Sequence, residues 1–365
     1  MAIERIGVVG AGVMGSEIAF AAAAAGIDVA LRDIERALID KGIAHIRAIA
    51  ERRAASGRMT EEDAAALMAR VSAAEAEEDL ASCGLVIEAV TERMDVKRSV
   101  FAALDAGTPA ETILASNTSG LSISELASVT SRPERVLGLH FFNPASTMRL
   151  VEVIRGEGTS EATAEAGAEL VRRLGKTPVA VAECPGFLVN RILVRALCEA
   201  YRRGAEAGAG LAEADAAVVA SGPAPMGPFA LGDLIGLDTL AHVQSGLVAA
   251  YGERFDDGGV MAGHVAVGRL GAKSGEGFYA GRAPEAAPDE PGRDVAERYY
   301  LGALDEARRC LEEEVASARD LELALQLGAG WSEGPLAWAT AEGEAAVRAR
   351  MAELSRSGER FRLIP

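Results

Sequence analysis

The chain has 365 residues, of which 49% are hydrophobic and 25% are charged, a globular composition with room for two or three domains. Its formal net charge of −17 argues against nucleic acid or an anionic membrane surface as a partner, whereas a small anionic ligand needs only a local basic patch. It contains no run of 18 apolar residues, no signal-peptide pattern and no metal-type spacing among its four cysteines. We therefore expect a soluble, metal-free protein of the cytoplasm with reduced thiols.

The first predicted strand, residues 6–9, leads into a glycine-rich turn and then into an Ala-rich helix over residues 16–25; the turn is Gly10-Ala11-Gly12-Val13-Met14-Gly15. A GxGxxG motif between a strand and a helix is typical of dinucleotide binding. Gly10 permits the tight turn, Gly12 lets the backbone approach a pyrophosphate at the helix N-terminus, and Gly15 lets helix and strand pack closely. The motif predicts a Rossmann-like domain.

A second predicted strand, residues 27–31, is followed by an acidic residue. Asp33 stands 18 residues beyond Gly15, where a carboxylate meets the ribose hydroxyls of a dinucleotide. Because a carboxylate repels the 2′-phosphate of NADP, Asp33 favours NAD. Arg32, directly beside it, is a residue type that could accept such a phosphate and leaves NADP open.

The stretch between Asp33 and Gly84 is too long for a single crossover and predicts two helices, residues 35–55 and 60–70, which form a helical arm over residues 35–70. The first helix carries a basic patch in an otherwise acidic protein: Lys41, Arg47, Arg52 and Arg53. This patch could bind a phosphate-rich ligand tail. On its own, it is also explained by a solvated helix face.

Two further strands, residues 84–90 and 112–116, end in polar residues. Ligands of doubly wound sheets bind beyond the carboxyl ends of strands, so Glu92 and Ser119 are candidate site residues. Lys97 is a third candidate, since the chain has only four lysines. The alternative is that Glu92 is a helix-start acid and Ser119 a helix cap.

A histidine and a glutamate stand at the ends of a predicted hairpin. His140 closes an apolar run and precedes Phe141-Phe142-Asn143-Pro144, and Glu152 lies twelve residues later inside the apolar run 150–154. A buried carboxylate is costly unless it is paired, and a turn at Asn143-Pro144 could bring the two side chains together. A histidine held by a carboxylate is a general base at neutral pH, and with a hydride carrier it indicates an alcohol dehydrogenase. A core histidine beside a solvent-facing glutamate is the alternative.

Beyond Cys184 the pattern is helical, with predicted helices over residues 186–208, 212–220 and 229–251. Shifted by 107 residues, the chain matches itself without gaps: Arg191 meets Arg298, Ala196-Leu197 meets Ala303-Leu304, Glu199-Ala200 meets Glu306-Ala307, Arg202 meets Arg309, Gly227-Pro228 meets Gly334-Pro335, and Gly236 meets Gly343. The fold class predicted is a doubly wound α/β Rossmann-like domain followed by two tandem all-α domains. The three predicted domains cover residues 1–183, 184–282 and 293–365, and a proline-rich linker covers residues 283–292.

These residues resemble a known family. Over nearly its whole length the chain resembles the L-3-hydroxyacyl-CoA dehydrogenases, including the 3-hydroxybutyryl-CoA dehydrogenases. The matching stretches are Gly10–Gly15, Val86–Val90, Ala115–Ser119, Gly138–Pro144, Leu150–Val153, Pro185–Arg191, Pro225–Phe229, Gly236–Thr239 and Lys273–Tyr279. The sequence His-Phe-Phe-Asn-Pro at 140–144 resembles that of acyl-CoA enzymes in particular. The related gulonate and carnitine dehydrogenases usually vary at these positions.

The resemblance implies roles for single residues. His140 would be the catalytic base, Glu152 would orient it, and Ser119 and Asn190 would surround the reacting oxygen and thioester of the acyl-CoA. The residues implied to contact NAD are Gly10, Gly12, Val13, Met14, Gly15, Asp33, Glu92, Lys97, Ser119, Asn143 and Lys273. The arm would cover CoA; Arg53 keeps a basic residue at a CoA-contacting position, whereas Ile46 stands where some relatives have a serine.

The helical repeat also acquires a meaning from the family. Relatives with one helical domain dimerise through it, so a second copy in the same chain could cover that surface as an internal pseudo-dimer, at high effective concentration. Asn190 aligns with Glu297, which indicates that the second copy is a scaffold without a site of its own. Further self-association as a homo-oligomer stays open.

The predicted function is reversible, NAD-dependent oxidation of an L-3-hydroxyacyl-CoA to the 3-oxoacyl-CoA, in fatty-acid β-oxidation or related acyl-CoA metabolism. Two alternatives remain. One is a dehydrogenase of a related 3-hydroxy acid without CoA, of gulonate or carnitine type. The other is a retired, NAD-binding structural protein of crystallin type.

Overall fold

The computed structural model describes residues 3–356 and 360–362 and divides into two compact units, Met1–Glu183 and Cys184–Pro365. The first unit holds the whole β-sheet, and the second is helical. The further division of the second unit into residues 184–282, a linker and residues 293–365 stays a prediction. Among the helices of the described residues, none is both long and apolar enough to cross a membrane.

The first unit is built on an eight-stranded sheet of order β3-β2-β1-β4-β5-β6-β7-β8. The strands are β1 Arg5–Val9, β2 Asp28–Arg32, β3 Val71–Ala74, β4 Leu85–Glu88, β5 Ile113–Ser116, β6 Val136–Phe141, β7 Leu150–Arg155 and β8 Thr177–Ala182. All neighbouring strands pair in parallel except β6 and β7, which are antiparallel. The central strands are continuous apolar runs because helices cover both faces of the sheet.

This topology confirms the predicted doubly wound fold. From β1 the chain moves outwards to β3 and then returns to β4 beside β1, so strand order reverses between β1 and β4. Ligands bind at such a reversal, beyond the carboxyl ends of the strands. Strands β3 and β8 were not predicted, because both are short or partly exposed and lack a continuous apolar run.

Six helices cover the sheet: α1 Val13–Ala24, α2 Arg36–Ala55, α3 Glu61–Ala69, α4 Met94–Gly107, α5 Ile123–Ala127 and α6 Glu161–Arg173. The predicted start of the first helix at Ser16 is wrong by one turn, because Gly12 is already the N-cap of α1. The arm helices α2 and α3 lie where they were predicted. The apolar face of α2, with Ile39, Ile46 and Ile49, is buried in the core.

The second unit contains nine helices within the described residues: α7 Val189–Ala207, α8 Leu211–Ser221, α9 Pro228–Ile235, α10 Leu237–Tyr251, α11 Val260–Ala266, α12 Glu290–Glu312, α13 Ala318–Gly328, α14 Pro335–Glu342 and α15 Glu344–Arg356. The predicted single helix 229–251 is wrong, since Gly236 adopts φ +102° and separates α9 from α10. Helix α12 begins inside the predicted linker, capped by Asp289.

The sequence repeat has a structural counterpart in two equivalent helix starts. Asp215 accepts hydrogen bonds from the backbone amides of Phe229 and Ala230 at the start of α9, both at 2.9 Å. Glu322, at the corresponding position of the second copy, accepts hydrogen bonds from Gly334 and Leu336 at the start of α14, at 3.1 and 2.9 Å. In both copies a carboxylate therefore satisfies amides that an N-terminal turn leaves unpaired.

Helices α7 and α12 occupy equivalent positions in the two copies, and they exchange reciprocal ion pairs. Arg191 Nε lies 2.7 Å from Glu306 Oε1, and Arg298 Nη2 lies 2.9 Å from Glu199 Oε2. All four side chains are buried. Each arginine therefore meets the glutamate at the equivalent position of the other copy.

The carboxylates of these pairs stay ionised despite their burial. Burial alone would raise the pKa of Glu199, yet the charges of Arg195, Arg360 and Arg298 lower it to about 2. Burial also opposes ionisation of Glu306, but the hydrogen bond from Arg254 and the charge of Arg191 hold the pKa of Glu306 below its usual value. Breaking one partner of such a pair leaves an uncompensated buried charge.

Candidate active site

His140 and Glu152 face each other across the antiparallel strands β6 and β7. The register pairs the two residues directly, and Nδ1 of His140 lies 2.7 Å from Oε2 of Glu152. The exposed fraction is 5% for His140 and zero for Glu152. Since an ionised carboxylate only accepts hydrogen bonds, Nδ1 carries the hydrogen of the neutral ring and Nε2 is the basic nitrogen. The predicted proximity of imidazole and carboxylate is therefore confirmed.

The segment between these strands, residues 142–149, is called the connector below. Glu17 of α1 accepts a hydrogen bond from the amide of Ser146 at 2.8 Å, and Arg53 of α2 donates to the carbonyl oxygen of Ser146 at 2.6 Å. The guanidinium of Arg53 also lies 4.9 Å from the centre of the Phe20 ring. Arg53, which the family resemblance placed at CoA, thus also attaches the arm to the connector.

Lys176, in the loop before β8, holds the connector from another side. Its Nζ donates to the carbonyl oxygens of Ala145 and Met148 at 2.5 and 2.6 Å. Burial, together with the nearby charge of Arg53, lowers the pKa of Lys176 to about 8. This role of Lys176 was not predicted, because nothing in the local sequence links the lysine to a segment about thirty residues earlier.

Glu92 and Ser119 meet beyond the carboxyl ends of β4 and β5, as their positions in the sequence predicted. Oε1 of Glu92 accepts hydrogen bonds from the hydroxyl of Thr118 at 2.6 Å and from the amide of Ser119 at 2.8 Å. Asn117, from the same loop, accepts a hydrogen bond from the amide of Phe141 at 2.9 Å. This loop is therefore fixed against the strand that carries His140.

Lys97 lies beneath this loop and is almost completely buried. Its Nζ is 2.7 Å from Oε1 of Glu88 and 3.3 Å from Oε2 of Glu92. Glu88, which has no exposed surface, also accepts a hydrogen bond from the hydroxyl of Ser116 at 2.7 Å. Glu88 was not predicted as a site residue, although it lies inside the apolar run 84–90 as Glu152 lies inside the run 150–154.

In the glycine-rich turn, the packing of the protein itself requires glycine at two of the three glycine positions. Gly10 has φ +103°, and a Cβ there would lie 2.6 Å from the carbonyl oxygen of Ala89. A Cβ at Gly15 would lie 1.8 Å from the carbonyl oxygen of Gly10, so the first turn of α1 packs directly on the loop. A Cβ at Gly12 would meet no atom within 4 Å, and Val13 after it is 62% exposed. Space beside Gly12 at a helix N-terminus suits a pyrophosphate.

The acid after β2 is attached to the same turn. Asp33 accepts hydrogen bonds from the amides of Ala11 and Ile34, both at 2.7 Å. Arg32 donates to the carbonyl oxygen of Asp33 at 2.9 Å and forms an ion pair with Glu77. Arg32, which could have accepted the 2′-phosphate of NADP, is thus already paired with a carboxylate. The residues at this turn therefore fit NAD.

The three remaining implied contact residues are Asn143, Asn190 and Lys273. Asn143 is an exposed residue of the connector. Asn190 and Lys273 belong to the second unit: Asn190 is half-buried in the first turn of α7, and Lys273 forms an ion pair with Asp238 of α10. Their contacts with NAD or substrate stay predictions.

Comparison with known proteins identifies the family. The model of the 3-hydroxyacyl-CoA dehydrogenase NAD-binding domain matches residues 5–184, and the model of the C-terminal domain of the same family matches residues 186–281. A 3-hydroxybutyryl-CoA dehydrogenase of Bradyrhizobium diazoefficiens is 42% identical over 288 residues, which cover 78% of this chain and 98% of the relative.

Two further similarities extend beyond residue 281. The crystal structure of 3-hydroxybutyryl-CoA dehydrogenase from Escherichia coli K12 superposes with a TM-score of 0.92 at 29% identity, covering all of this chain and 97% of the other. The fatty acid oxidation complex subunit alpha of Idiomarina loihiensis is 35% identical over 351 residues, 90% of this chain and 49% of that subunit. The chain therefore belongs to the NAD-dependent 3-hydroxyacyl-CoA dehydrogenase family.

Proposed function

We propose that this enzyme oxidises the 3-hydroxyl group of an L-3-hydroxyacyl-CoA to a ketone, reversibly, with His140 as the general base and acid. The observation that supports it is the buried contact between His140 Nδ1 and Glu152 Oε2, at 2.7 Å, in the same unit as the dinucleotide turn. Fatty-acid β-oxidation or related acyl-CoA metabolism is the setting that the relatives' names suggest.

Oxidation of the alcohol requires a hydride to leave the carbon and a proton to leave the hydroxyl group. Bound NAD supplies the acceptor for the hydride. If the hydroxyl proton stayed, a high-energy protonated ketone would form, so Nε2 of His140 takes that proton. Glu152 keeps the ring in the reactive tautomer and stabilises the imidazolium that results. In the reverse direction the imidazolium polarises the ketone and returns the proton to its oxygen.

The remaining residues are proposed to bind and orient. Ser119 and Asn190 would contact the reacting oxygen and the thioester, and Arg53 would contact the CoA moiety while it holds the connector. Gly10, Gly12, Val13, Met14, Gly15 and Asp33 would form the dinucleotide turn; Glu92, Ser119, Asn143 and Lys273 would complete the NAD site. Because Lys97 is buried against Glu88 and Glu92, we propose that it acts on NAD only through Glu92.

The second helical copy is proposed to take the place of a partner subunit. Its α12 meets α7 through reciprocal buried ion pairs, so the surface is already covered within one chain. We expect the full chain to sediment as a monomer with a sedimentation coefficient that is independent of concentration. A stable dimer at low concentration would show that the pseudo-dimer does not replace self-association.

The class of substrate is tested with NADH, purified protein and either acetoacetyl-CoA or free acetoacetate. We expect NADH to be oxidised with the thioester alone, since the arm and its basic patch would recognise CoA. The measurement is the loss of the near-ultraviolet absorbance of NADH. Turnover of the free acid would instead favour the gulonate- or carnitine-type alternative, and NADH binding without turnover would indicate a retired site.

Replacement of the proposed base should separate chemistry from binding. His140→Ala is expected to lower kcat by ~10²–10⁴, the usual contribution of a general base, while the Kd for NADH is retained. Glu152→Gln keeps the shape of the side chain but loses the charge that stabilises the imidazolium, so this variant should also have a lower kcat. His242→Ala, at an exposed histidine of α10, is the matched control. A wild-type rate in His140→Ala would remove this residue from the mechanism.

Two glycine variants distinguish a ligand role from a folding role. Gly12→Ala meets no protein atom within 4 Å, so its Tm should stay near wild type. Its methyl group would occupy space proposed for the pyrophosphate, and NADH affinity should fall by about tenfold or more, on the order of 1.4 kcal/mol. Gly15→Ala places a Cβ 1.8 Å from the Gly10 carbonyl oxygen and should lower Tm as well. Thermal unfolding and fluorescence titration with NADH measure the two effects. Unchanged NADH affinity in Gly12→Ala would contradict the proposed site.

A further inference from the structure

The helix that carries Asn190 begins immediately after an unusual turn. Gly186 and Phe187 both have positive φ, +77° and +52°, and Phe187 is fully buried. A non-glycine residue in the left-handed region persists only where the surrounding structure holds it there. The start of α7 therefore needs support from outside the turn.

Arg191, the next residue along α7 from Asn190, receives that support from the second helical copy. Its guanidinium donates to both carboxylate oxygens of Glu313, at 2.7 and 3.0 Å, and through Nε to Glu306 at 2.7 Å. Glu306 lies in α12 and Glu313 directly follows it. The Arg191 guanidinium also lies 4.2 Å from the centre of the Tyr251 ring, and the Tyr251 hydroxyl donates to the carbonyl oxygen of Pro185 at 3.3 Å.

The two copies differ at this point despite their pseudo-symmetry. In the second copy Glu297 precedes Arg298, where Asn190 precedes Arg191 in the first. Glu206 corresponds to Glu313, yet it forms ion pairs with Arg202 and Arg203 of its own helix. The bidentate contact from the end of α12 is thus made at the copy that retains the asparagine.

We propose that Glu306 and Glu313 are positioning residues for the dehydrogenase reaction: by fixing Arg191 they hold the first turn of α7 and so orient the Asn190 amide towards the substrate. The inference rests on the proposed role of Asn190 in substrate binding. A bidentate, charge-assisted contact restrains a side chain in distance and in angle, which is what a preorganised site requires. The second copy would then contribute to turnover as well as covering a surface.

The first test uses Glu313→Gln, because the Glu313 side chain is 47% exposed and its loss should leave the fold intact. Glu206→Gln, 42% exposed at the corresponding position of the first copy, is the matched control. We expect Glu313→Gln to lower kcat roughly tenfold, less than the ~10² that a 1 Å misplacement can cost, with the KM for NADH unchanged. Glu206→Gln should retain the wild-type kcat.

A second pair separates positioning from stability. Glu306→Gln and Glu199→Gln each remove one carboxylate of the reciprocal buried pairs, so both should lower Tm to a similar extent. Only Glu306→Gln should lower kcat. Equal losses of kcat in the two variants, or none in Glu306→Gln and Glu313→Gln, would overturn the inference.

Asn190→Ala links the inference to the residue through which it acts. We expect Asn190→Ala to lower kcat, and Glu313→Gln to have no further effect in that background, because both changes remove the same contact. A wild-type rate in Asn190→Ala would overturn the proposed role of Asn190 itself. A slow Asn190→Ala combined with a wild-type Glu313→Gln would overturn only the positioning role of the second copy.

Discussion

The antiparallel pairing of β6 and β7 is the constraint on which the site depends. It places an ionisable carboxylate, Glu152, in the interior of the sheet directly opposite His140, and the burial leaves the carboxylate with a strong requirement for a hydrogen-bond donor. The imidazole supplies that donor. One hydrogen bond therefore both compensates the burial of the carboxylate and fixes the tautomer of the ring. The connector between the strands is then held by Glu17, Arg53 and Lys176.

Buried charge is used in the same way elsewhere in the molecule. Lys97 joins Glu88 and Glu92 at the ends of β4 and β5, and in the helical unit Arg191 joins Glu306. Such pairs are poor sources of stability compared with apolar packing, but a charge without its partner is strongly unfavourable. Each pair therefore disfavours arrangements that separate its two members, which suits a protein that must hold catalytic groups at defined distances.

The sequence repeat in the helical unit gives the chain a pair of equivalent helices, α7 and α12, whose residues differ at one site position. The reciprocal pairs of α7 and α12 retain the symmetry, whereas Asn190 and Glu297 do not. When both copies lie in one chain, one of them can lose site residues without loss of the other's site. The hydrogen bonds between Arg191 and Glu313 show that the second copy contacts the first turn of α7 directly.

The sequence by itself determined the features that depend on local pattern. The glycine motif between strand and helix, the continuous apolar strands, the arm helices and the contact between His140 and Glu152 were all predicted from neighbouring residues or a short hairpin. Only the tertiary structure decided that Lys97 is buried against Glu88, that Arg53 and Lys176 hold the connector, and that Arg191 meets Glu306 across the repeat. The partners of Arg53, Lys176 and Arg191 lie tens of residues or more away in the sequence. The spacing of hydrophobic and polar residues therefore cannot predict these contacts. In each of these contacts, Lys97 included, burial after folding selects the partner, because a charge removed from water must find the counter-charge or carbonyl oxygen that the fold places beside it.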